Sequence, residues 1–327
     1  MGKEKACLIM HPKAGKHIDS ILAALEERWE TAIIETQFAG HGIELAADAP
    51  RQGYRWLIAY GGDGMLNEVI NGAMRAEQPC IVGTLPGGTV NQWAREIGLP
   101  MHPVEAAQTL TWSIPRQIDL GHVSVSELEF PDQKTEVNNP ENGPLNGLYF
   151  LLVAGLGMDA MTIQKTSESS KQQFGQLAFM IDWLRILPEM RSFPIQIRWS
   201  DGQSWEGQSW DILVSNTRCY TIFENLIPEA YVNDGLLDIR VFALSSPVQG
   251  LLRPYHNGNF SLKLPASVLL QLDGSGVELS NFVSTENLKR IQQAKDVSKV
   301  FITYVFQAKP AALAMAIPPE YTGALFK

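Results

Sequence analysis

A tight cluster of glycines around one aspartate is the feature of this sequence whose residue types and spacing most clearly suggest chemistry. Residues 61–64 read Gly-Gly-Asp-Gly; they follow a short apolar run at residues 56–60, and apolar residues recur at helical spacing from Leu66 onwards. The pattern predicts a buried strand, a glycine turn and a helix N-terminus. Because the first N–H groups of a helix lack internal partners and glycine lets a ligand approach the backbone closely, these residues predict an anion site. An ordinary tight turn is the alternative.

The carboxylate of Asp63 in this turn restricts the kind of anion that can bind. Alone it would repel a phosphate, but a divalent cation between the two negative groups removes the conflict. A nucleotide bound with magnesium satisfies both requirements. We therefore expect a nucleotide site just beyond the strand that ends before Gly61.

The elements around this turn alternate between strand and helix through the first third of the chain. Strands are predicted at residues 7–10, 32–34, 56–60 and 80–85, with helical patterns between them. Such alternation is typical of a parallel sheet with helices on both faces, in which ligands bind beyond the carboxyl ends of the strands. The turns that follow these strands are therefore expected to gather at one edge of the sheet; they contain Gly15, Gly40, Gly61 and Gly87.

The pattern changes near residues 118–121 to short strands joined by polar turns. Strands are predicted at residues 148–153, 195–199, 212–214, 237–242, 268–272 and 300–306, with one helix at 174–187 and an exposed hairpin loop at 130–144. This predicts a mostly antiparallel β domain of sandwich or barrel type. We expect a nucleotide-binding α/β domain at residues 1–118, a β-rich acceptor-binding domain at 119–307, and a tail at 308–327 that packs on the first domain.

The composition limits the classes of partner and compartment. The chain of 327 residues carries a net charge of -9 and no dense run of Lys or Arg, so nucleic acid is not an expected partner. The three cysteines form no CxxC pair, which fits a reducing compartment. The N-terminus lacks the apolar segment of a signal peptide, and the longest apolar run, at residues 148–156, is too short to span a bilayer. These features predict a cytoplasmic protein.

Four motifs in a fixed order relate the glycine turn to a known family. They are GGDGMLNE at residues 61–68, PGGTVNQWAR at 86–95, IDLG at 118–121, and a segment at 227–238 that ends in DGLLD. Together they resemble the diacylglycerol kinase catalytic domain family, especially its soluble bacterial lipid kinases, which are also related to sphingosine kinases. The resemblance covers nearly the whole chain. It implies an α/β domain similar to that of NAD kinases and a C-terminal β-sandwich domain.

The resemblance implies transfer of the γ-phosphate of ATP to a lipid hydroxyl, with Mg²⁺ as the metal. By position it assigns nucleotide binding to Thr36, Gly61, Gly62, Asp63, Gly64, Met65, Leu66, Asn67, Glu68, Thr89 and Asn91. It assigns a structural magnesium to the backbone carbonyls of Tyr231 and Leu236 and to the carboxylate of Asp234. The catalytic groups implied are Asp63, Asp273 and Ser275; the last two stand where the family has its DGE motif.

The chain departs from the family pattern at several of these positions. Met65 replaces a threonine that would face the phosphates, Gln92 replaces an aspartate, and Ser275 replaces the glutamate expected as the base. An unassisted serine hydroxyl is a poor base. A sensor that binds nucleotide or lipid without turnover is therefore one alternative. An enzyme similar to NAD kinase, which shares a GGDG loop, is the other.

Several lipids fit the role of acceptor: diacylglycerol, a monoacylglycerol, a sphingoid base, phosphatidylglycerol and an undecaprenyl-type alcohol. A lipid acceptor implies transient contact with a membrane surface. We therefore expect a cytoplasmic protein that is peripheral at the membrane during turnover, and the sequence leaves a homodimer open.

A second glycine pattern, GLGMDA at residues 155–160, matches the GxGxxA dinucleotide motif. It lies in the β-rich half, and polar residues follow it where a packed amphipathic helix would be needed. We therefore do not predict a dinucleotide site there.

Overall fold

The computed structural model describes residues 2–12, 17–137, 147–165, 191–218, 227, 229–243 and 255–327, and the chain divides into two compact units. Unit 1 contains Met1–Leu120, Thr217–Asp234 and Pro310–Lys327, and unit 2 contains Gly121–Asn216 and Gly235–Lys309. The predicted helix at 174–187 and the turn at Gly15 fall outside the described residues.

The secondary structure alternates in the first part of the chain and is dominated by strands in the second. The helices are α1 (Ile18–Leu25), α2 (His41–Asp48), α3 (Asp63–Ala73), α4 (Gln92–Glu96), α5 (Pro103–Trp112), α6 (Met158–Lys165) and α7 (Thr285–Gln293). The strands are β1 (Glu4–Met10), β2 (Trp29–Glu35), β3 (Trp56–Gly61), β4 (Ile81–Pro86), β5 (Ile114–Glu129), β6 (Lys134–Glu136), β7 (Leu148–Phe150), β8 (Val153–Gly157), β9 (Phe193–Trp199), β10 (Ser204–Ser209), β11 (Asp211–Ser215), β12 (Leu237–Phe242), β13 (Tyr255–Asn257), β14 (Asn259–Pro265), β15 (Leu270–Leu272), β16 (Ser275–Val277) and β17 (Phe301–Ile317).

Unit 1 is built on a parallel sheet with the strand order β2-β1-β3-β4. The part of β17 that belongs to unit 1 continues the sheet beyond β4, pairing Ala314 with Ile81 and Met315 with Val82. β3 and β4 are buried almost throughout, as expected of parallel strands that are covered on both faces.

The order of these strands places helices on both faces of the sheet. The connection from β1 to β2 runs in one direction across the sheet, whereas those from β2 to β3 and from β3 to β4 run in the other. Since such crossovers are right-handed, α1 lies on one face and α2 and α3 lie on the other. α2 and α3 pack closely because Gly72 lacks a side chain; a Cβ atom there would lie 2.5 Å from that of Ala46. The predicted α/β fold is confirmed.

Unit 2 consists of antiparallel strands in two sheets. One sheet contains β10-β9-β14-β17, with β5 pairing β17, β6 and β7, and the other has the order β13-β12-β11-β8-β15-β16. Both sheets contribute to one apolar core, which includes Ile197 and Leu262 from the first and Val214 and Ile239 from the second. The predicted antiparallel β-sandwich is also confirmed.

The single strand predicted at residues 148–153 is wrong, because the segment forms two strands in different sheets. β7 pairs with β5, and β8 pairs with β11 and β15. Between them, the N–H groups of Leu151, Leu152 and Val153 donate to the carboxylate of Asp273 over 2.8, 2.8 and 3.1 Å. The carboxylate satisfies buried backbone donors that would otherwise lack partners, so the chain can cross from one sheet to the other.

Three other predicted boundaries differ from the structure. The loop predicted at 130–144 contains β6, which pairs with the end of β5. The strand predicted at 300–306 is β17, which continues past Pro310 because it pairs first with β14 and then with β4. Residues 217–234, assigned by pattern to the β-rich domain, cluster with unit 1. There the carbonyl of Val232 accepts from the N–H of Asp119, and its N–H donates to the carbonyl of Leu325.

Candidate active site

The carboxyl ends of the parallel strands meet at one edge of unit 1. Met10 at the end of β1 pairs with Glu35 of β2 and Tyr60 of β3, and Gly61 at the end of β3 pairs with Pro86 of β4. The turns that follow β2, β3 and β4 therefore lie together at this edge, as the alternation of strands and helices predicts.

Two of these turns touch through their backbones. The N–H of Gly87 donates to the carbonyl of Gly61 over 2.9 Å. Gly88 faces Gly62 so closely that a Cβ atom at Gly88 would lie 2.5 Å from the Cα atom of Gly62. The close approach of the two turns explains why glycine is needed at Gly88.

Gly88→Ala should therefore push the two turns apart. We expect the free energy of unfolding to fall by about 1–3 kcal/mol, as for other overpacked sites. We also expect ATP affinity to fall by roughly tenfold, which corresponds to about 1.4 kcal/mol. Urea unfolding and equilibrium binding of ATP with Mg²⁺ measure both effects. Gly2→Ala is the control, since its Cβ atom would meet nothing within 4 Å. An unchanged ATP affinity in Gly88→Ala would show that contact between the turns is not needed for binding.

Asn91 keeps the second turn in shape. Its backbone is left-handed, with φ 50°. Its Oδ1 accepts from the N–H of Gly88 over 2.9 Å, and its Nδ2 donates to the carbonyl of the same residue over 2.8 Å. These bonds favour a positioning role for the buried Asn91 over the predicted nucleotide contact. Thr89, by contrast, is exposed and accessible to a ligand.

The carboxylate of Asp63 ties the first turn to the second. One oxygen accepts from the N–H of Gln92 over 2.9 Å and the other from the N–H of Trp93 over 3.2 Å, so the carboxylate caps α4. Burial raises the pKa of Asp63, while the two N–H groups and nearby Arg95 act in the opposite direction. Each oxygen retains a lone pair that can accept a further hydrogen bond. Among the described residues, no side chain caps α3 itself, which starts at Asp63 after Gly62.

Glu68 has a different contact from the one predicted. Its two carboxylate oxygens accept from the N–H groups of Gly40 and Gly42, each over 2.9 Å. A carboxylate at this position satisfies unpaired donors at the start of α2 and interacts favourably with the helix dipole. The geometry favours a residue that positions the loop after β2 over one that contacts the nucleotide.

The remaining predicted nucleotide residues differ in their exposure. Thr36 and Leu66 are buried, with 3% and 2% of their surface exposed, so their side chains offer little surface to a ligand at this edge. Gly61, Gly62, Gly64, Met65 and Asn67 are half-buried. Met65 packs over the end of β3, since a Cβ atom at Gly61 would lie 2.8 Å from that of Met65.

The predicted metal residues flank Val232, whose backbone is hydrogen-bonded to two distant parts of the chain. The carbonyl of Val232 accepts from the N–H of Asp119 over 2.7 Å, and its N–H donates to the carbonyl of Leu325 over 2.9 Å. Within the described part of the chain, no group of three or more His, Cys, Asp or Glu side chains could hold a metal. The predicted set needs one carboxylate, from Asp234, and two backbone carbonyls. Such hard oxygen donors fit Mg²⁺.

Gln92, which replaces the family's aspartate, is buried next to Asp63. Its backbone N–H binds Asp63, but its Oε1 has no hydrogen-bond partner among the described residues. A buried oxygen without a donor costs about 1–3 kcal/mol. The amide is one methylene longer than the side chain of an aspartate and carries no negative charge.

In unit 2, Asp273 and Gly274 form a two-residue turn between β15 and β16, with φ 49° and 81°. Positive φ at both positions is typical of a type I′ hairpin turn. The two carboxylate oxygens of Asp273 accept hydrogen bonds from the backbone N–H groups of residues 151–153, where β7 ends and β8 begins. The structure therefore favours a positioning role for Asp273 over the predicted catalytic one. Ser275, the first residue of β16, is exposed.

A buried pair of acids near this turn escaped the sequence analysis. The N–H of Asp159 donates to Asp211 over 3.1 Å, and Gln271 donates to Asp159 over 2.7 Å and accepts from the N–H of Gly274 over 2.8 Å. Asp159 belongs to the GLGMDA pattern, which does lead into a helix, α6. A Cβ atom at Gly155 would lie 1.9 Å from the carboxylate of Asp159. The glycine therefore makes room for an acid rather than for a phosphate.

The acid pair predicts a pH dependence of stability. Burial raises the pKa of Asp159 to about 7, and burial together with the charge of Asp159 raises the pKa of Asp211 well above its usual value. The folded protein therefore keeps protons that the unfolded chain loses above about pH 4, so stability should fall as the pH rises from about 4 to 7.

Asp211→Asn removes one charge and keeps an oxygen for the N–H of Asp159. The variant should be more stable than the unaltered chain by about 1–3 kcal/mol at pH 8, with a much smaller difference at pH 4. Urea unfolding at the two pH values measures this difference. If the stability difference between the variant and the unaltered chain is the same at pH 8 and pH 4, the buried charges of Asp159 and Asp211 do not destabilise the protein.

No helix among the described residues is long and apolar enough to cross a membrane.

Comparison with known proteins agrees with the geometry of the two units. Residues 5–123 match the model of the diacylglycerol kinase catalytic domain, and residues 153–279 match the YegS C-terminal NAD kinase beta sandwich-like domain. A diacylglycerol kinase of Bacillus subtilis is 30% identical over 245 residues, which cover 73% of each chain. A Pseudomonas putida protein named "Probable lipid kinase YegS-like" is 28% identical over 325 residues, 97% of each chain.

A solved structure shows the same fold over nearly the whole chain. The crystal structure of a diacylglycerol kinase from Bacillus anthracis has a TM-score of 0.67 and 19% identity, and the match covers 98% of both chains. On its sequence matches, the chain belongs to the family of bacterial diacylglycerol kinases and YegS-like lipid kinases.

Proposed function

We propose that this protein is a lipid kinase that transfers the γ-phosphate of ATP to the hydroxyl of a lipid such as diacylglycerol. Membership of a kinase family indicates a phosphotransferase. The observation that carries the proposal is the contact between two glycine turns at the edge of unit 1, which Asp63 fixes through Gln92 and Trp93. This arrangement places the start of α3, which no described side chain caps, beside a carboxylate, as a nucleotide with Mg²⁺ requires.

The residues of unit 1 would bind and orient the nucleotide. The start of α3 would receive phosphate oxygens on its N–H groups, and the exposed hydroxyl of Thr89 could donate a further hydrogen bond. Arg95, anchored by its Nε to the carbonyl of Val90 over 2.8 Å, places a positive charge near Asp63. A rigid set of donors lowers the barrier chiefly by positioning and by stabilising charge.

Magnesium would be held by Asp234 and the carbonyls of Tyr231 and Leu236. When bound, it would neutralise negative charge in this part of the protein. Asp119 and Leu325 hold the backbone around Val232 in place through hydrogen bonds of 2.7 and 2.9 Å.

Unit 2 would bind the lipid and accept the proton of its hydroxyl. The exposed Ser275, on the hairpin turn that Asp273 and Gln271 fix, stands where the family has a glutamate. A serine removes a proton only with the help of another base, so we expect slow turnover. Binding to a lipid would bring the protein into transient contact with a membrane surface.

A nucleotide or lipid sensor without turnover is the second candidate. Two observations favour it: Gln92 and Ser275 each stand, without a negative charge, where the family has a carboxylate. The kinase and a sensor of nucleotide both bind nucleotide, and they differ only in phosphoryl transfer.

The test is an acceptor panel with γ-labelled ATP and Mg²⁺. The purified chain is incubated with diacylglycerol micelles, with micelles of a mixed lipid extract, and with NAD. The proposal predicts label in the organic phase, and the chromatographic position of the product identifies the lipid. Label only in NADP would establish the NAD kinase alternative, and ATP binding without any labelled product would favour the sensor.

A further inference from the structure

We propose that the ring of Phe38 is the platform on which the base of the bound nucleotide stacks. The inference rests on the proposed function, because it names a residue that recognises the nucleotide of that reaction. It concerns the loop between β2 and α2, which lies at the same edge of unit 1 as the glycine turns.

Phe38 is the exposed aromatic residue on this loop. Its side chain is 57% exposed, whereas Thr36, the residue assigned to the nucleotide by family position, is 3% exposed. A single exposed apolar residue is common on protein surfaces. The contacts around Phe38 are what distinguish it.

The ring of Phe38 stacks on the ring of His41, with centroids 4.6 Å apart and planes at 20°. The Nδ1 of His41 accepts from the N–H of Gln37 over 3.1 Å, which fixes the orientation of the imidazole. His41 therefore covers one face of Phe38, and among the described residues the other face can receive a flat, uncharged π system. A nucleotide base presents such a face.

The loop is also fixed relative to the glycine turn. Glu68 of α3 holds the N–H groups of Gly40 and Gly42 over 2.9 Å each, and a Cβ atom at Gly42 would lie 3.5 Å from the sulfur of Met65. Only β1 separates β2 from β3, so the ends of these two strands are about 10 Å apart. A nucleotide extends over a distance of this order between its base and its phosphates. Phosphates at the start of α3 would therefore place the base near Phe38.

A membrane surface is a less suitable partner for this residue. The exposed neighbours on its loop, Gln37 and Ala39, add little apolar surface, and the exposed Glu35 and Glu44 flank the segment with negative charge. These carboxylates would repel anionic lipids. They do not oppose the stacking of an uncharged base.

The experiment compares two probes of the same site by equilibrium binding in the presence of Mg²⁺. ATP contains the base, and inorganic tripolyphosphate lacks it. Phe38→Ala should weaken ATP binding about tenfold, within the range of about 5- to 150-fold expected for loss of one base stack, and leave tripolyphosphate binding unchanged. Phe38→Tyr, which keeps the ring, should bind both probes as the unaltered chain does.

Trp112→Ala provides a matched control, because it also removes an exposed aromatic ring. The carbonyls of its neighbours, Thr111 and Ser113, accept from Arg28, which directly precedes β2. Trp112 thus lies near the amino ends of the strands, away from the carboxyl ends where the glycine turns meet. The variant should therefore bind ATP normally.

The possible results separate the inference from the proposed function. If the unaltered chain binds no ATP, both are overturned. If it binds ATP and Phe38→Ala changes neither affinity, or weakens both probes equally, the base platform alone is overturned. A loss of vesicle sedimentation in Phe38→Ala with unchanged ATP affinity would assign the ring to membrane contact instead.

Discussion

Asp63→Asn should lower the rate of lipid phosphorylation by at least about 100-fold, the scale expected when a positioned electrostatic group is lost. Asparagine offers one oxygen where Asp63 uses two, so its Nδ2 would face the N–H of Gln92 or Trp93. The start of α4 would lose one hydrogen bond, and the site would lose a negative charge. We also expect a loss of about 1.5–3 kcal/mol in the free energy of unfolding, the range for hydrogen bonds to a charged group.

The activity, ATP affinity and urea unfolding of Asp63→Asn are measured together with those of Asp48→Asn. Asp48 is a surface residue that pairs with Arg51 over 3.3 Å, and its side chain is 63% exposed, so its loss should change little. In the unaltered chain, activity should also fall as the pH is lowered through the raised pKa of Asp63, because the carboxylate is then protonated. If Asp63→Asn is destabilised but keeps full turnover, Asp63 caps α4 and takes no part in catalysis.

Ser275→Glu should raise the turnover number by about 100-fold, since a positioned general base contributes about 10²–10⁴-fold. Ser275 is exposed at the start of β16, so a glutamate fits there without burying a charge. The neighbouring turn is already rigid, because Asp273 and Gln271 anchor it through backbone N–H groups. The substitution therefore places a carboxylate beside a rigid turn, at the position where the family has its base.

Initial rates with saturating ATP and lipid measure this effect, and Ser280→Glu controls for the added charge in the same unit. Ser280 is exposed near β16 but lies outside the turn, so its replacement should leave the rate unchanged. A pH profile adds a second readout, because a new carboxylate base introduces an acidic limb. If Ser275→Glu does not raise the rate, another group accepts the proton of the lipid hydroxyl.

The parts of the structure that follow from local pattern could be predicted from the sequence. The strand that ends at Gly61 and the helix that starts at Asp63 are indicated by the residues within and beside them. The alternation of such segments is enough to predict the parallel sheet and the edge at which its turns meet. The four motifs were likewise sufficient for the family.

Contacts between distant residues could not be predicted in the same way. The break between β7 and β8 depends on Asp273, about 120 residues further along the chain, and an uninterrupted apolar run hides it. The resemblance assigns Glu68 to the nucleotide, and no local pattern indicates that its carboxylate also binds a loop 26–28 residues earlier. The pairing of Asp159 with Asp211 also joins distant residues, one in helix α6 and one at the start of β11, with no local signal.

The most direct test of phosphoryl transfer to a lipid uses two samples of ATP, one labelled at the γ-phosphate and one at the α-phosphate. Each is incubated with the chain, Mg²⁺ and diacylglycerol micelles, and the organic and aqueous phases are counted. We predict that γ-label enters the organic phase, that α-label remains in aqueous ADP, and that Asp63→Asn abolishes the transfer. Bound ATP with no γ-label in the organic phase, for diacylglycerol or for the mixed lipid extract, would contradict the assignment of this protein as a lipid kinase.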